Sequence, residues 1–213
     1  MSSPFLLSSL KRPAGFSQKR SVSASDEDFV ALARTISSRP SSVILLSGGL
    51  PATDAERRHS LAAWDPFLVL EAKKNSCRVR RGSTTLNVQE DPLVLLDTIM
   101  EETRPSELAE IPPFCGGAVG YLAYDLKNVI ERLPQTARDE DDLPDLWLIW
   151  PRQILIHDRL QESLSHIVID YGDRAAREWR EIDLPKPSRR SARRPGTSDR
   201  SRAISRAKRT CKP

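Results

Sequence analysis

The chain has 213 residues, of which 38% are hydrophobic and 29% are charged, as expected for one domain with polar ends. The formal net charge of +4 conceals an asymmetry, because residues 186–213 carry eleven Lys or Arg and one acid while the remainder is acidic. No segment reaches the roughly 18 apolar residues of a membrane-spanning helix. Three widely spaced cysteines argue against a disulfide framework and favour a reducing, cytoplasmic location.

Taken in chain order, residues 1–25 are rich in serine, include Lys and Arg, and contain no acid. We predict a disordered segment here, with an organelle transit segment as the less favoured alternative. An amphipathic helix is predicted from Asp26 to Ile36, with acids at its positive end. Asp91 and Pro92 predict the start of a second helix, because Asp is a good N-cap and Pro suits the first helical position.

Strands dominate the rest of the pattern. Before the second helix they are predicted over residues 43–46, 58–64, 67–72, 77–80 and 84–88, the last two as a hairpin. After it they are predicted over residues 117–124, 147–149, 153–157 and 165–169, followed by a helix over 173–182. Because strands come in runs with few helices between them, the pattern predicts an α+β fold with mostly antiparallel sheets. Residues 186–213 have almost no large apolar side chain and are predicted to be disordered.

Few residue patterns indicate chemistry. The glycines between residues 116 and 120 lack the spacing of a dinucleotide fingerprint and the Lys-Ser/Thr of a phosphate-binding loop. His59, His157 and His166 lack metal-ligand spacing, and the acidic run 139–142 lacks the calcium-loop pattern. The basic tail contains no aromatic residue for base stacking, which disfavours nucleic-acid binding. We therefore predict no metal site and no nucleophile from these patterns.

Several blocks nevertheless occur in a recognisable order. They are SSVILLSG at 41–48, RHSLAAWDPF at 58–67, DPL at 91–93, FCGGAVGYLAYD at 114–125, LPDLW at 143–147 and ILIHD at 154–158. Together, over residues 26–185, they resemble the amino-terminal domain of the chorismate-utilising component I proteins. That family comprises para-aminobenzoate (aminodeoxychorismate) synthase component I and anthranilate synthase component I. The resemblance implies its α+β fold and a structural signature at Gly116, Gly117, Gly120, Tyr124, Asp125, Pro144 and Asp145.

The resemblance also implies what this chain lacks. Residues 198–208 look like the helix that opens the family's chorismate-binding domain, and in the family the Mg²⁺ ligands and the chorismate contacts belong to that domain. We therefore assign no catalytic residue and no cofactor here, and expect a truncated product that is inactive alone. In the full-length family a glutamine amidotransferase partner delivers ammonia, and a separately encoded catalytic half could bind this chain. Residues 130–134 lean toward the folate branch, with the tryptophan branch as the alternative.

One ligand site is implied by the same resemblance. Family members hold tryptophan between the serine-containing strand end and the Arg-x-Ser block, which correspond here to Leu46, Ser47, Arg58, His59 and Ser60. Ser47 can accept a hydrogen bond from an ammonium group, and Arg58 can pair with a carboxylate. The alternative is that these residues simply end two strands. A non-catalytic amino-acid sensor or a basic-tailed interaction module is therefore the rival to an enzyme function.

Overall fold

Eight strands and three α-helices make up the described part of the chain. The computed structural model describes residues 15–48, 57–104, 114, 116–131 and 141–172. The strands are β1 (Gly15–Ser23), β2 (Val43–Leu45), β3 (His59–Lys73), β4 (Ser76–Arg81), β5 (Thr84–Gln89), β6 (Val119–Leu122), β7 (Leu146–Asp158) and β8 (Ser163–Asp170). The helices are α1 (Asp26–Ser37), α2 (Pro92–Glu102) and α3 (Lys127–Ile130), and a 3₁₀ turn at Tyr124–Leu126 precedes α3.

All of these strands belong to one antiparallel sheet with the order β1-β8-β7-β3-β4-β5, in which β2 also pairs with β3 and β6 also pairs with β7. The two long strands β3 and β7 pair along nearly their whole length. Their segments 59–64 and 153–158 lie with β2, β8 and β1, and we call this half-sheet I. Their segments 69–72 and 146–149 lie with β4, β5 and β6, and we call this half-sheet II.

The two half-sheets meet at an irregularity in β3. Asp65 has a left-handed backbone (φ 56°), and the register with β7 shifts between Pro66 and Leu68. Pro66 lies opposite Pro151, and neither ring nitrogen can donate to the ladder. The sequence predicted two separate strands around Asp65-Pro66, and separate strands for 147–149 and 153–157. These predictions were wrong in one respect: a β-bulge interrupts the pairing locally, and each pair of segments is one continuous strand.

Each of the two core clusters contains buried side chains from one long helix. Helix α1 begins at a capping box, in which Ser25 accepts from the Asp28 N–H and Asp28 accepts from the Ser25 N–H. Its apolar face packs on half-sheet I through the buried residues Phe29, Ala33 and Ile36, which lie against Ala62, Trp64, Leu155 and Leu164. Helix α2 begins at Asp91, as predicted, with Pro at the start of the helix, and buries Leu95 and Ile99 in the larger core cluster.

The predicted fold class is confirmed, because the described chain is mixed α and β with an antiparallel sheet. One segment requires correction. Residues 15–23, assigned from composition to a disordered amino-terminal segment 1–25, form β1 and pair with β8. A strand at the edge of a sheet is held by backbone hydrogen bonds, which do not require an apolar sequence. The predicted helix over 173–182 and the tail 186–213 lie outside the described residues.

Candidate functional site

The predicted ligand residues gather at one end of half-sheet I. Ser47 follows β2, Arg58 precedes β3, and His59 and Ser60 are the first two residues of β3. His59 lies opposite Asp158, the last residue of β7, in the strand register. Four residues from two separate sequence blocks therefore lie together, whereas Leu46 is an exposed residue (58%).

Ser47 is held against the start of β3 by two hydrogen bonds. Its N–H donates to the Ser60 hydroxyl oxygen at 3.1 Å, and its own hydroxyl donates to the His59 carbonyl oxygen at 2.5 Å. The Ser47 proton is therefore already donated within the chain. A lone pair on Ser47 Oγ remains the group that could accept from an ammonium group of a ligand.

Arg58 pairs with a carboxylate of the chain itself. Its Nε and Nη2 donate to Asp158 Oδ2 at 2.9 and 2.5 Å. Asp158 Oδ1 accepts from the N–H groups of Leu160 and Gln161, both at 3.1 Å. Burial acts to raise the pKa of Asp158, but the hydrogen bonds from Arg58 and Gln161 outweigh it and hold that pKa below its ordinary value. The same ion pair raises the pKa of Arg58.

Asp158 is the residue that sequence reasoning missed in this site. It ends the block at 154–158 that helps to carry the family resemblance, but it lies 100 residues from Arg58 in the chain and was not assigned to the ligand site. Its signal in the sequence was its position at the end of that block and of an apolar strand, beside His157. A strand end does not reveal which neighbour the strand pairs with, so this signal could not have identified Arg58 as the partner.

An aromatic ring lies beside His59. The Phe114 ring stands edge-on to the imidazole, with ring centroids 6.2 Å apart and an interplanar angle of 77°. Phe114 is 53% exposed, and the His59 Nε2 lies 3.8 Å from Asp158 Oδ2. Phe114 begins the glycine-rich signature block. The site therefore combines an exposed phenyl ring, an imidazole and the Ser47 hydroxyl.

A second arginine–carboxylate pair holds α1 next to this site. Arg159 donates through Nε and Nη2 to the Asp26 carboxylate, each with a contact of 3.0 Å. The hydrogen bond from Arg159 lowers the pKa of Asp26 below its ordinary value. The buried His157 stacks on Phe29 and lies with Nε2 3.0 Å from the Ala24 carbonyl oxygen. These contacts fix the first turn of α1 at the end of β7.

The family signature lies mainly at the edge of half-sheet II, where the structure gives several of its residues a role in packing. A Cβ on Gly120 would lie 2.1 Å from the Trp147 carbonyl oxygen, so only glycine allows β6 to approach β7 here. Gly117 has a left-handed backbone (φ 82°). The Asp145 carboxylate accepts from the Lys74 N–H at 2.7 Å. Tyr124 is exposed and lies next to the Lys127 ammonium, which also pairs with Asp125 at 2.9 Å.

The described residues lack two further features. Among them, no three His, Cys, Asp or Glu side chains gather in a way that could hold a metal ion. Within the same part of the chain, no helix has the length and apolar character needed to cross a membrane.

Comparison with known proteins adds a family match. A family model described as chorismate binding enzyme matches residues 50–210. Anthranilate synthase component 1 of Acetivibrio thermocellus is 33% identical over 114 residues, 53% of this chain and 23% of that protein. Aminodeoxychorismate synthase component 1 of Bacillus subtilis (strain 168) is 29% identical over 107 residues, 50% of this chain and 23% of that protein.

Among solved structures, anthranilate synthase component I from Streptococcus pneumoniae TIGR4 is similar with a TM-score of 0.45 and 23% sequence identity. That similarity covers 72% of this chain and 31% of the other. This chain therefore spans about a quarter of the length of the two curated relatives and a third of the solved one.

Proposed function

Because the chain belongs to the family of chorismate-binding enzymes, we propose that it is a region of a component I protein that aminates chorismate. The observation that carries this proposal is the family match over residues 50–210, a range that includes β3 to β8. Relatives named as component 1 of aminodeoxychorismate synthase and of anthranilate synthase both support it. We place the chain in the folate branch first, on residues 130–134, with the tryptophan branch as the alternative.

The role proposed for the described residues is to support the reaction rather than to perform it. Chorismate carries two carboxylates, so its amination needs a metal ion or cationic side chains that neutralise negative charge. The described residues bring together no carboxylate set suited to Mg²⁺, and we derive no chemical step from them. We propose that they form a scaffold that works with a catalytic region carrying the Mg²⁺ ligands. We also propose a glutamine amidotransferase as the source of ammonia.

The experiment is a reconstitution. The chain is purified and supplied with chorismate, Mg²⁺ and ammonium ions, first alone and then with a component 1 relative from which the matched region has been removed. We expect no aminated product from the chain alone. With the truncated partner of the folate branch we expect aminodeoxychorismate to form.

Three results would contradict parts of this proposal. Amination by the chain alone would overturn the supporting role. Restoration of anthranilate formation in the tryptophan-branch partner instead would overturn the branch. Restoration of neither activity would overturn the proposal that this region works within a component I protein. A Gly120→Val variant, which should separate β6 from β7, is the control that must fail to restore activity.

We also propose, as a second function, that the end of half-sheet I binds an amino acid of the tryptophan type. The supporting observation is that Ser47, His59, Ser60 and Phe114 lie together there. Calorimetry with L-tryptophan tests it. We expect weak binding heat that Phe114→Ala abolishes, because the exposed ring beside His59 is lost, and a Phe114→Ala variant that binds as well as the unsubstituted chain would contradict it.

A further inference from the structure

The hydrogen bonds between Arg58 and Asp158 indicate how the affinity of the proposed amino-acid site is set. A guanidinium recognises an external carboxylate best through two parallel N–H groups. In Arg58, Nε and Nη2 form such a pair, and both already donate to Asp158 Oδ2. A ligand carboxylate that reaches Arg58 therefore meets an edge that the chain's own carboxylate occupies.

Asp158 is also held from its other side. The two N–H groups of Leu160 and Gln161 donate to Oδ1, in the arrangement of an Asx turn. Asp158 is 9% exposed as a residue, whereas the Arg58 side chain is 33% exposed. The carboxylate is thus fixed by the turn between β7 and β8, and the guanidinium is the partner that solvent and ligands can reach.

We propose that Asp158 is an internal competitor for the ligand carboxylate, and thereby the residue that sets the affinity and the ligand preference of this site. The proposal rests on the amino-acid site proposed above. With Asp158 in place, the carboxylate of an amino acid adds little to binding, and the site distinguishes poorly between an amino acid and the corresponding amine. When Asp158 is removed, Arg58 becomes available and the site prefers the amino acid.

A substitution can separate the two functions of Asp158. Asp158→Ser retains an oxygen that can accept from the N–H groups of the turn, as serine does in the related ST turn, but removes the carboxylate from Arg58. Asp26→Ser is the matched control, because it removes the neighbouring carboxylate that pairs with Arg159 and leaves the Arg58 pair intact.

The experiment measures the affinity for L-tryptophan and for tryptamine, which lacks the carboxylate, by calorimetry. For the unsubstituted chain we expect the two affinities to agree within about threefold, since Arg58 is occupied. For Asp158→Ser we expect tryptophan to bind at least about tenfold more tightly than before while tryptamine is unchanged. For Asp26→Ser we expect neither affinity to change. A merely structural role of Asp158 would weaken both ligands together.

Several outcomes would overturn the proposal. One is an unsubstituted chain that binds tryptophan about tenfold more tightly than tryptamine. Another is an Asp158→Ser protein that remains folded by circular dichroism and gains no affinity for tryptophan. If Asp158→Ser does not fold, Asp158→Asn is the second variant, and the tryptophan-to-tryptamine ratio of the unsubstituted chain decides by itself. None of these results depends on chorismate, so the reconstitution tests the component I function separately.

Discussion

Gly120 provides the sharpest test of how the signature block positions half-sheet II. In Gly120→Ala the new Cβ would lie 2.1 Å from the Trp147 carbonyl oxygen and 3.0 Å from the Leu148 Cα. Ordinary contact begins near 3.4 Å, so the methyl group is about 1.3 Å too close to a backbone atom. Trp147 pairs with Tyr121 on one side and with Glu71 on the other. Its carbonyl therefore cannot move away without disturbing β3, and β6 must separate instead.

The expected cost follows from this clash. Inserting a methyl group into a closely packed interior costs about 1–3 kcal/mol of unfolding free energy. For a chain of this size each kcal/mol lowers the melting temperature by about 2–4 °C. We therefore expect Gly120→Ala to melt about 2–12 °C below the unsubstituted protein in thermal unfolding followed by circular dichroism.

The matched control is Gly48→Ala. A Cβ at Gly48 meets no atom within 4 Å, so this substitution should change the unfolding free energy by less than about 0.5 kcal/mol. The comparison removes the general effect of a lost glycine on the unfolded chain. Equal melting temperatures for Gly120→Ala and Gly48→Ala would refute the argument that the approach of β6 to β7 requires glycine.

Three further predictions concern the interior and the acid range. Thr103→Val should lower the unfolding free energy, measured with urea, by about 1–3 kcal/mol, because the buried Trp150 indole N–H loses its acceptor at 2.9 Å. Thr98→Val, on the exposed side of α2, is the control and should lower it far less. Equal losses of unfolding free energy would contradict this role of Thr103. Burial, and to a smaller extent the nearby acids, raises the pKa of Cys77 to about 11. The alkylation of this thiol at pH 8, followed by mass spectrometry, should therefore be at least about a hundredfold slower in the native than in the unfolded chain. Comparable rates would contradict a buried thiol. The hydrogen bond from arginine that lowers the pKa of Asp26 stabilises the fold above the ordinary value of 3.8 and is lost as the pH falls below it. Asp26→Asn should therefore flatten the loss of unfolding free energy in acid, and an unchanged pH profile would exclude this role.

The amino-acid sequence determined the local elements of this protein. The hairpin of β4 and β5, with Gly82 in a left-handed turn, and the start of α2 at Asp91 were predicted at nearly their observed positions. Turn residues, caps and apolar periodicity act within a few residues, so a sequence carries them directly. The antiparallel α+β class followed for the same reason, since it depends on the order of elements and not on their partners.

The tertiary structure alone decided which distant segments meet. The sequence contained no signal that β1 pairs with β8, that the bulge near Pro66 leaves β3 continuous, or that Arg58 meets a carboxylate 100 residues away. Side-chain partners of this kind are set by strand register, and a shift of one residue would reverse the face of every side chain in a strand. The resemblance proposed residues for the candidate site, whereas the carboxylate that is bound to Arg58 became apparent only from the strand register.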